Sequence, residues 1–143
     1  MTKLSTLSIE LVPMAGIGVS QKTGVLRTLL GSCVGVALYE RRLKLSGLAH
    51  VVMPDSRGCD KALGKYADTA IPETIRRMQA LVGQTRLMLS AKIAGGANMF
   101  ANPSNNLNNS IGDQNMAAVE RVLNSLEIPI IARHLGGTSG RRI

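Results

Sequence analysis

Residues 25–54 read VLRTLLGSCVGVALYERRLKLSGLAHVVMP, and this stretch decides the fold. Three apolar runs, 25–30, 34–39 and 45–53, follow one another with only Gly31-Ser32 and a charged turn over 40–44 between the last two pairs of ends. Short runs rich in Val and Leu, punctuated by glycine and charge, are strands. Connections this short predict antiparallel pairing in series. If 34–39 and 45–50 form a hairpin, the start of one strand lies opposite the end of the other. Cys33 and His50, seventeen positions apart in the chain, then sit at the same end of the same hairpin.

Outward from the hairpin, residues 7–12 (LSIELV) form a first strand closed by Pro13, and Gly16, Gly18 and Gly24 mark a loose connection. Pro54 stops the last of the three runs, and 55–65 (DSRGCDKALGK) is a polar, glycine-bearing loop. Ile71, Ile75, Met78 and Leu81 recur at helical spacing, which predicts a helix over 69–82 capped by Asp68 or Thr69. A strand over 87–93 is broken by Gly95-Gly96, and the Asn-rich 101–110 is loop. A second helix over 113–126 aligns Met116, Val119, Leu123 and Leu126, and 130–134 is the last strand. No repeat or linker divides the chain. The sum is a strand-dominated α+β domain with helices interleaved late.

A chain of 143 residues fits one domain and buries a core without disulfides. With no Trp, two Tyr and one Phe, that core is aliphatic. The formal charge of +8 attracts acidic partners, but it is spread over short pairs such as Arg41-Arg42, Arg76-Arg77 and Arg141-Arg142. Dispersed charge and few stacking aromatics speak against a reading as a basic nucleic-acid-binding domain. The two cysteines form no CxxC pair and no zinc-spaced cluster, so no metal is expected. No uninterrupted apolar run at the N-terminus reads as a signal peptide, and none reaches membrane-spanning length. The reading is a cytoplasmic protein with reduced thiols and no direct membrane insertion.

A cysteine nucleophile needs an exposed sulfur, a base and donors for a developing oxyanion. Gly31-Ser32-Cys33 offers a tight turn that aims a thiol outward, with backbone N–H groups of Ser32 and Cys33 facing a tetrahedral intermediate. A cysteine ahead of VGVAL also fits a small buried hydrophobe. His50 near a strand end serves as base, or as a hydrogen-bonded core histidine. The hairpin unites the two and favours the catalytic pair. His134 and Cys59 read as surface residues. Gly95-Gly96-Ala97-Asn98 lacks the phosphate-loop pattern and reads as a tight turn that lets backbone approach a substrate. Met99-Phe100 is either core or a partner contact, with Phe100 the contact residue.

Six blocks then carry a resemblance: LGSCVGVAL (30–38), LAHVVMPDS (48–56), GKYADTAIP (64–72), AKIAGGANMF (91–100), IGDQN (111–115) and LGGTSGRR (135–142). Together and in order, they resemble the chemoreceptor glutamine deamidase family, CheD. The resemblance implies an α/β sandwich related to deamidating toxins, with a largely antiparallel or mixed sheet and flanking helices. It implies a cytoplasmic hydrolase that converts glutamines of methyl-accepting chemoreceptors to glutamates without a cofactor. The family nucleophile falls on Cys33 and the family histidine on His50. A CheC-type phosphatase is the further partner implied. The family places a catalytic threonine six positions before the cysteine, where this chain has Arg27, with Thr28 next. Adjacent strand residues face opposite sides, so Thr28 takes that role only if the strand is irregular there. Arg27 also keeps open a second reading, a catalytically weakened binding module that regulates a CheC-type phosphatase. The chain is read as one deamidase domain over 1–143. Family members commonly continue into another strand or hairpin, so it is either a short member or lacks an outer sheet edge.

Overall fold

The computed structural model describes residues 8–98 and 110–143. A five-stranded sheet is its centre. Its strands are β2 (Ile17–Gln21), β5 (Val34–Glu40), β6 (Leu45–Val51), β7 (Leu89–Gly95) and β8 (Ile130–Leu135), in the order β2-β6-β5-β7-β8. All neighbours pair antiparallel except β7 and β8, which are parallel and joined through helix α2 (Ile111–Ser125). That crossover is the connection a parallel pair requires.

The expected hairpin is present as β5 and β6, with Val34 opposite Val51 and Glu40 opposite Leu45. Alternation sorts its side chains by face. Val34, Val36 and Leu38, with Leu45, Ala49 and Val51 across from them, are buried in the main core. Helix α1 (Ala67–Val82) supplies Ala67, Ala70, Ile71 and Met78 to that core, and α2 supplies Ala118, Val119 and Leu123. The fold is a mixed α+β sandwich with both helices on this layer. Gly35 and His50, a cross-strand pair of opposite parity, belong to the other face. Among the described residues no helix is long and apolar enough to cross a membrane.

Several expectations are corrected. The three apolar runs do not pair in series. Residues 25–30 split into β3 (Val25–Arg27), parallel to β1 (Ile9–Leu11), and β4 (Leu29–Leu30), antiparallel to β9 (Arg141–Arg142). The chain changes sheets at Thr28. The third strand of the main sheet next to β6 is β2, which occupies the supposed loose connection. Its glycine is there for packing: a Cβ on Gly18 would lie 2.9 Å from Val12 and 3.0 Å from Leu26. The strand over 130–134 is not the last, because β9 follows it.

Helix α1 begins at Ala67 with Tyr66 as its cap, so Asp68 and Thr69 fall inside its first turn. Asp68 instead accepts from the Ser56 amide (2.9 Å) and hydroxyl (2.6 Å), tying the 55–65 loop to the helix. Helix α2 is capped by Ser110, whose Oγ accepts from Asp113 N–H at 3.1 Å. Residues 99–109, including Phe100 and nearly all of the Asn-rich loop, lie outside the described residues.

Candidate active site

The break at Thr28 positions its side chain. Its backbone N–H donates to Ile143 (3.0 Å) and its carbonyl accepts from Ile143 (3.1 Å). Its side chain is buried at 2 % exposure. The hydroxyl lies 2.6 Å from the Val12 carbonyl and 2.7 Å from His50 Nδ1. Because β3 ends at Arg27 and β4 starts at Leu29, ordinary strand alternation does not run through Thr28. The irregularity that its catalytic reading demanded is present, and Arg27 is not the residue that meets His50.

These two contacts fix a protonation state. The Val12 carbonyl can only accept, so the one hydroxyl proton of Thr28 points to it. Thr28 Oγ1 must then accept from His50, which places the imidazole proton on Nδ1. Nε2 is left as a bare acceptor. It is buried, and no described atom hydrogen-bonds to it. Burial holds the His50 pKa below its ordinary 6.5, so the ring is neutral.

Cys33 immediately precedes β5, and Val34 pairs with both Val51 and Gly95. The thiol belongs to a small apolar cluster with Leu30, Ala94 and Val52. Burial raises its pKa above the ordinary 9.0. Both groups are therefore neutral at rest, a thiol and an imidazole rather than a preformed ion pair. Desolvation disfavours such an ion pair. Hydrogen bonds between catalytic groups commonly tighten only when substrate binds.

The turn around the cysteine has a definite polarity. The Gly31 carbonyl accepts from Ala97 N–H (2.9 Å) and the Cys33 carbonyl from Gly96 N–H (2.8 Å). The Ser32 carbonyl accepts from the Asn115 carboxamide (3.2 Å). All three carbonyls are engaged, while the N–H groups of Ser32 and Cys33 have no partner among the described residues. Gly95 makes this approach possible: with φ +109°, any Cβ there would lie 2.2 Å from the Cys33 carbonyl oxygen. The double glycine therefore lets one backbone segment close on another, whereas the sequence suggested an approach to substrate. Arg141 reinforces it by donating to the Gly95 carbonyl at 2.7 Å.

Asn115 was missed in the sequence except as part of a block. It is fully buried on the inward stripe of α2 with Gly112, Val119 and Leu123. A polar residue on an apolar helical stripe is the signal that could have found it. His134 is exposed on β8, and Cys59 is half-buried in the 55–65 loop. A cavity of about 450 Å³ lies on the open sheet face against Ala37, Tyr39, Leu48, Lys92 and Ile131. Cys33, His50 and Thr28 are not among its lining residues.

Comparison with known proteins agrees with the resemblance. The family model described as CheD chemotactic sensory transduction matches residues 52–143. A probable chemoreceptor glutamine deamidase CheD of Lachnoclostridium phytofermentans is 47 % identical over 135 residues, covering 92 % of this chain and 83 % of that protein. A probable chemoreceptor glutamine deamidase CheD of Methanococcus vannielii is 44 % identical over 133 residues, covering 92 % of this chain and 84 % of that protein. The chemoreceptor glutamine deamidase CheD of Halalkalibacterium halodurans is 44 % identical over 141 residues, covering 92 % of this chain and 83 % of its own.

Proposed function

The chain belongs to the CheD family, and on that premise we propose that it deamidates glutamine side chains of methyl-accepting chemoreceptors. Cys33 is the nucleophile, His50 the base and Thr28 the residue that orients the imidazole. The observation that carries this reading is the Val12–Thr28–His50 chain. It leaves a buried, unprotonated Nε2 at the cysteine end of the hairpin.

The reaction follows from these groups. Nε2 accepts the thiol proton as sulfur attacks the glutamine carboxamide carbon. The carbonyl oxygen becomes an oxyanion facing the N–H groups of Ser32 and Cys33. The imidazolium returns its proton to the nitrogen as the C–N bond breaks, releasing ammonia and leaving a thioester. Nε2 then activates water, the C–S bond breaks, and the product is glutamate with the thiol restored. The scheme needs no cofactor.

The net charge of +8 favours an acidic protein surface as substrate by long-range attraction. The enzyme acts in the cytoplasm, where a CheC-type phosphatase is its second partner. The test is incubation with a receptor cytoplasmic fragment followed by peptide mass spectrometry. A gain of about one mass unit at defined glutamines, absent with Cys33→Ala, supports the reading. Unchanged glutamines with wild-type protein would refute it.

A further inference from the structure

We infer that Asn115 is a positioning residue that aims the Cys33 N–H at the oxyanion and ties the nucleophile turn to the histidine strand. This rests on the deamidase reading above and adds a residue that the reading does not use.

The orientation of the carboxamide is unambiguous. Its Nδ2 lies 3.2 Å from the Ser32 carbonyl and 2.9 Å from the Val52 carbonyl. Both partners are acceptors only, so the atom facing them must be the NH₂ group. Its two protons are thereby used on two chain segments 83 and 63 positions away from Asn115. Ser32 immediately precedes the nucleophile, and Val52 follows His50 by two residues. One side chain thus spans the two halves of the proposed dyad.

The peptide plane converts this contact into a direction. In a trans peptide, the C=O of one residue and the N–H of the next point opposite ways. Holding the Ser32 carbonyl on Asn115 therefore turns the Cys33 N–H away from α2. The Gly31 and Cys33 carbonyls are held by backbone amides of Ala97 and Gly96. Among the described residues, Ser32 is the one carbonyl of this turn held by a side chain, and its peptide carries the Cys33 N–H. If Asn115 is lost, that peptide can rotate, and the donor is no longer preorganised for the developing charge.

The other end of the side chain points the same way. Asn115 Oδ1 is buried and has no partner among the described residues. A buried acceptor without a partner lowers stability. The asparagine is therefore held here for its two NH₂ bonds, to the Ser32 and Val52 carbonyls, which an apolar residue of similar volume could not make.

The test compares two chemistries of one sulfur. Deamidation needs the oxyanion donors, whereas alkylation of the thiol by iodoacetamide is a displacement that needs none. Both are measured in a Cys59→Ser background, which leaves Cys33 as the one thiol. Asn115→Ala and Asn115→Leu each remove the donor, the second with the volume nearly retained. The expected result is a fall in kcat of roughly 10²-fold with KM and the alkylation rate of Cys33 close to wild type. Wild-type kcat in either folded variant overturns the inference. So does a parallel loss of alkylation and deamidation, or loss of the folded circular dichroism spectrum in both variants, because Asn115 would then be a general structural residue. Absence of deamidation in the Asn115-containing parent would instead overturn the underlying reading.

Discussion

The two ends of the β5–β6 hairpin each bury polar groups, and they treat them oppositely. At the turn end, Glu40 is 1 % exposed. Its carboxylate accepts from Met88 N–H (2.5 Å), Arg42 N–H (3.1 Å) and the Arg42 guanidinium (3.4 and 3.5 Å). At the open end, among the described residues, neither the buried His50 Nε2 and Asn115 Oδ1 nor the Ser32 and Cys33 amides have a partner. Leaving a buried polar group unpaired costs about 1–3 kcal/mol. A polar group kept for structure is saturated, whereas a group kept for chemistry holds a lone pair or a proton in reserve. The same strands thus build an anchor at one end and, on the proposed function, a reactive site at the other.

Removing the reserve outright should have the largest effect. Cys33→Ala, or His50→Gln, is expected to lower deamidation by at least roughly 10³-fold, measured as glutamate formed per enzyme, with the fold intact. Activity near wild type in either variant would break the contrast between the two ends. A step smaller, Thr28→Val keeps the shape but removes the oxygen that fixes the His50 tautomer. A loss of about 10²-fold in kcat is expected, with Thr28→Ser restoring most of it. Equal activity in the Val and Ser variants would show that the hydroxyl does not orient the ring.

The pH profile sharpens the comparison further. Burial lowers the His50 pKa from 6.5 and raises that of Cys33 from 9.0. On the proposed function the neutral pair is the working form, and kcat/KM should stay flat across that interval, with the acid limb falling below 6.5. A maximum confined to a narrow band inside the interval would contradict this. Stability carries the matching sign. The unfolded chain takes up the His50 proton more readily than the folded one, so this contribution is present above 6.5 and is lost as pH falls below it.

The smallest effect on catalysis belongs to the anchor. Burial alone would raise the Glu40 pKa, but the Met88 and Arg42 donors outweigh it and hold the carboxyl below 4.5. Glu40→Gln is expected to destabilise the fold by about 1–3 kcal/mol in urea unfolding while kcat is unchanged. A drop in kcat without a change in stability would show that the ends are not separable.

How far the sequence revealed this depends on the range of each interaction. The β5–β6 hairpin was legible because its apolar residues alternate over adjacent runs. Strand β2 was not, because Gly16, Gly18 and Gly24 imitate a loop, while Gly18 serves close packing against Val12 and Leu26. The split of 25–30 was hidden because both halves are apolar and their partners, β1 and β9, come from opposite ends of the described chain. Cys33 and His50 could be placed at the same end of the hairpin from register alone. The contact of Thr28 with His50 could not, since it depends on the break at Thr28. Asn115 was least legible, because its partners are 83 and 63 positions away and helical periodicity says only that it faces inward.

The central claim is that His50 is held neutral with its proton on Nδ1 and Nε2 free to act as base. A long-range proton–nitrogen correlation spectrum of nitrogen-labelled protein at mildly alkaline pH reads this directly, with His50 assigned by its disappearance in His50→Gln. The expected spectrum shows a protonated Nδ1 and a bare Nε2 for His50, shifting to the other tautomer or to a mixture in Thr28→Val. A protonated Nε2 in the wild-type protein would contradict the account.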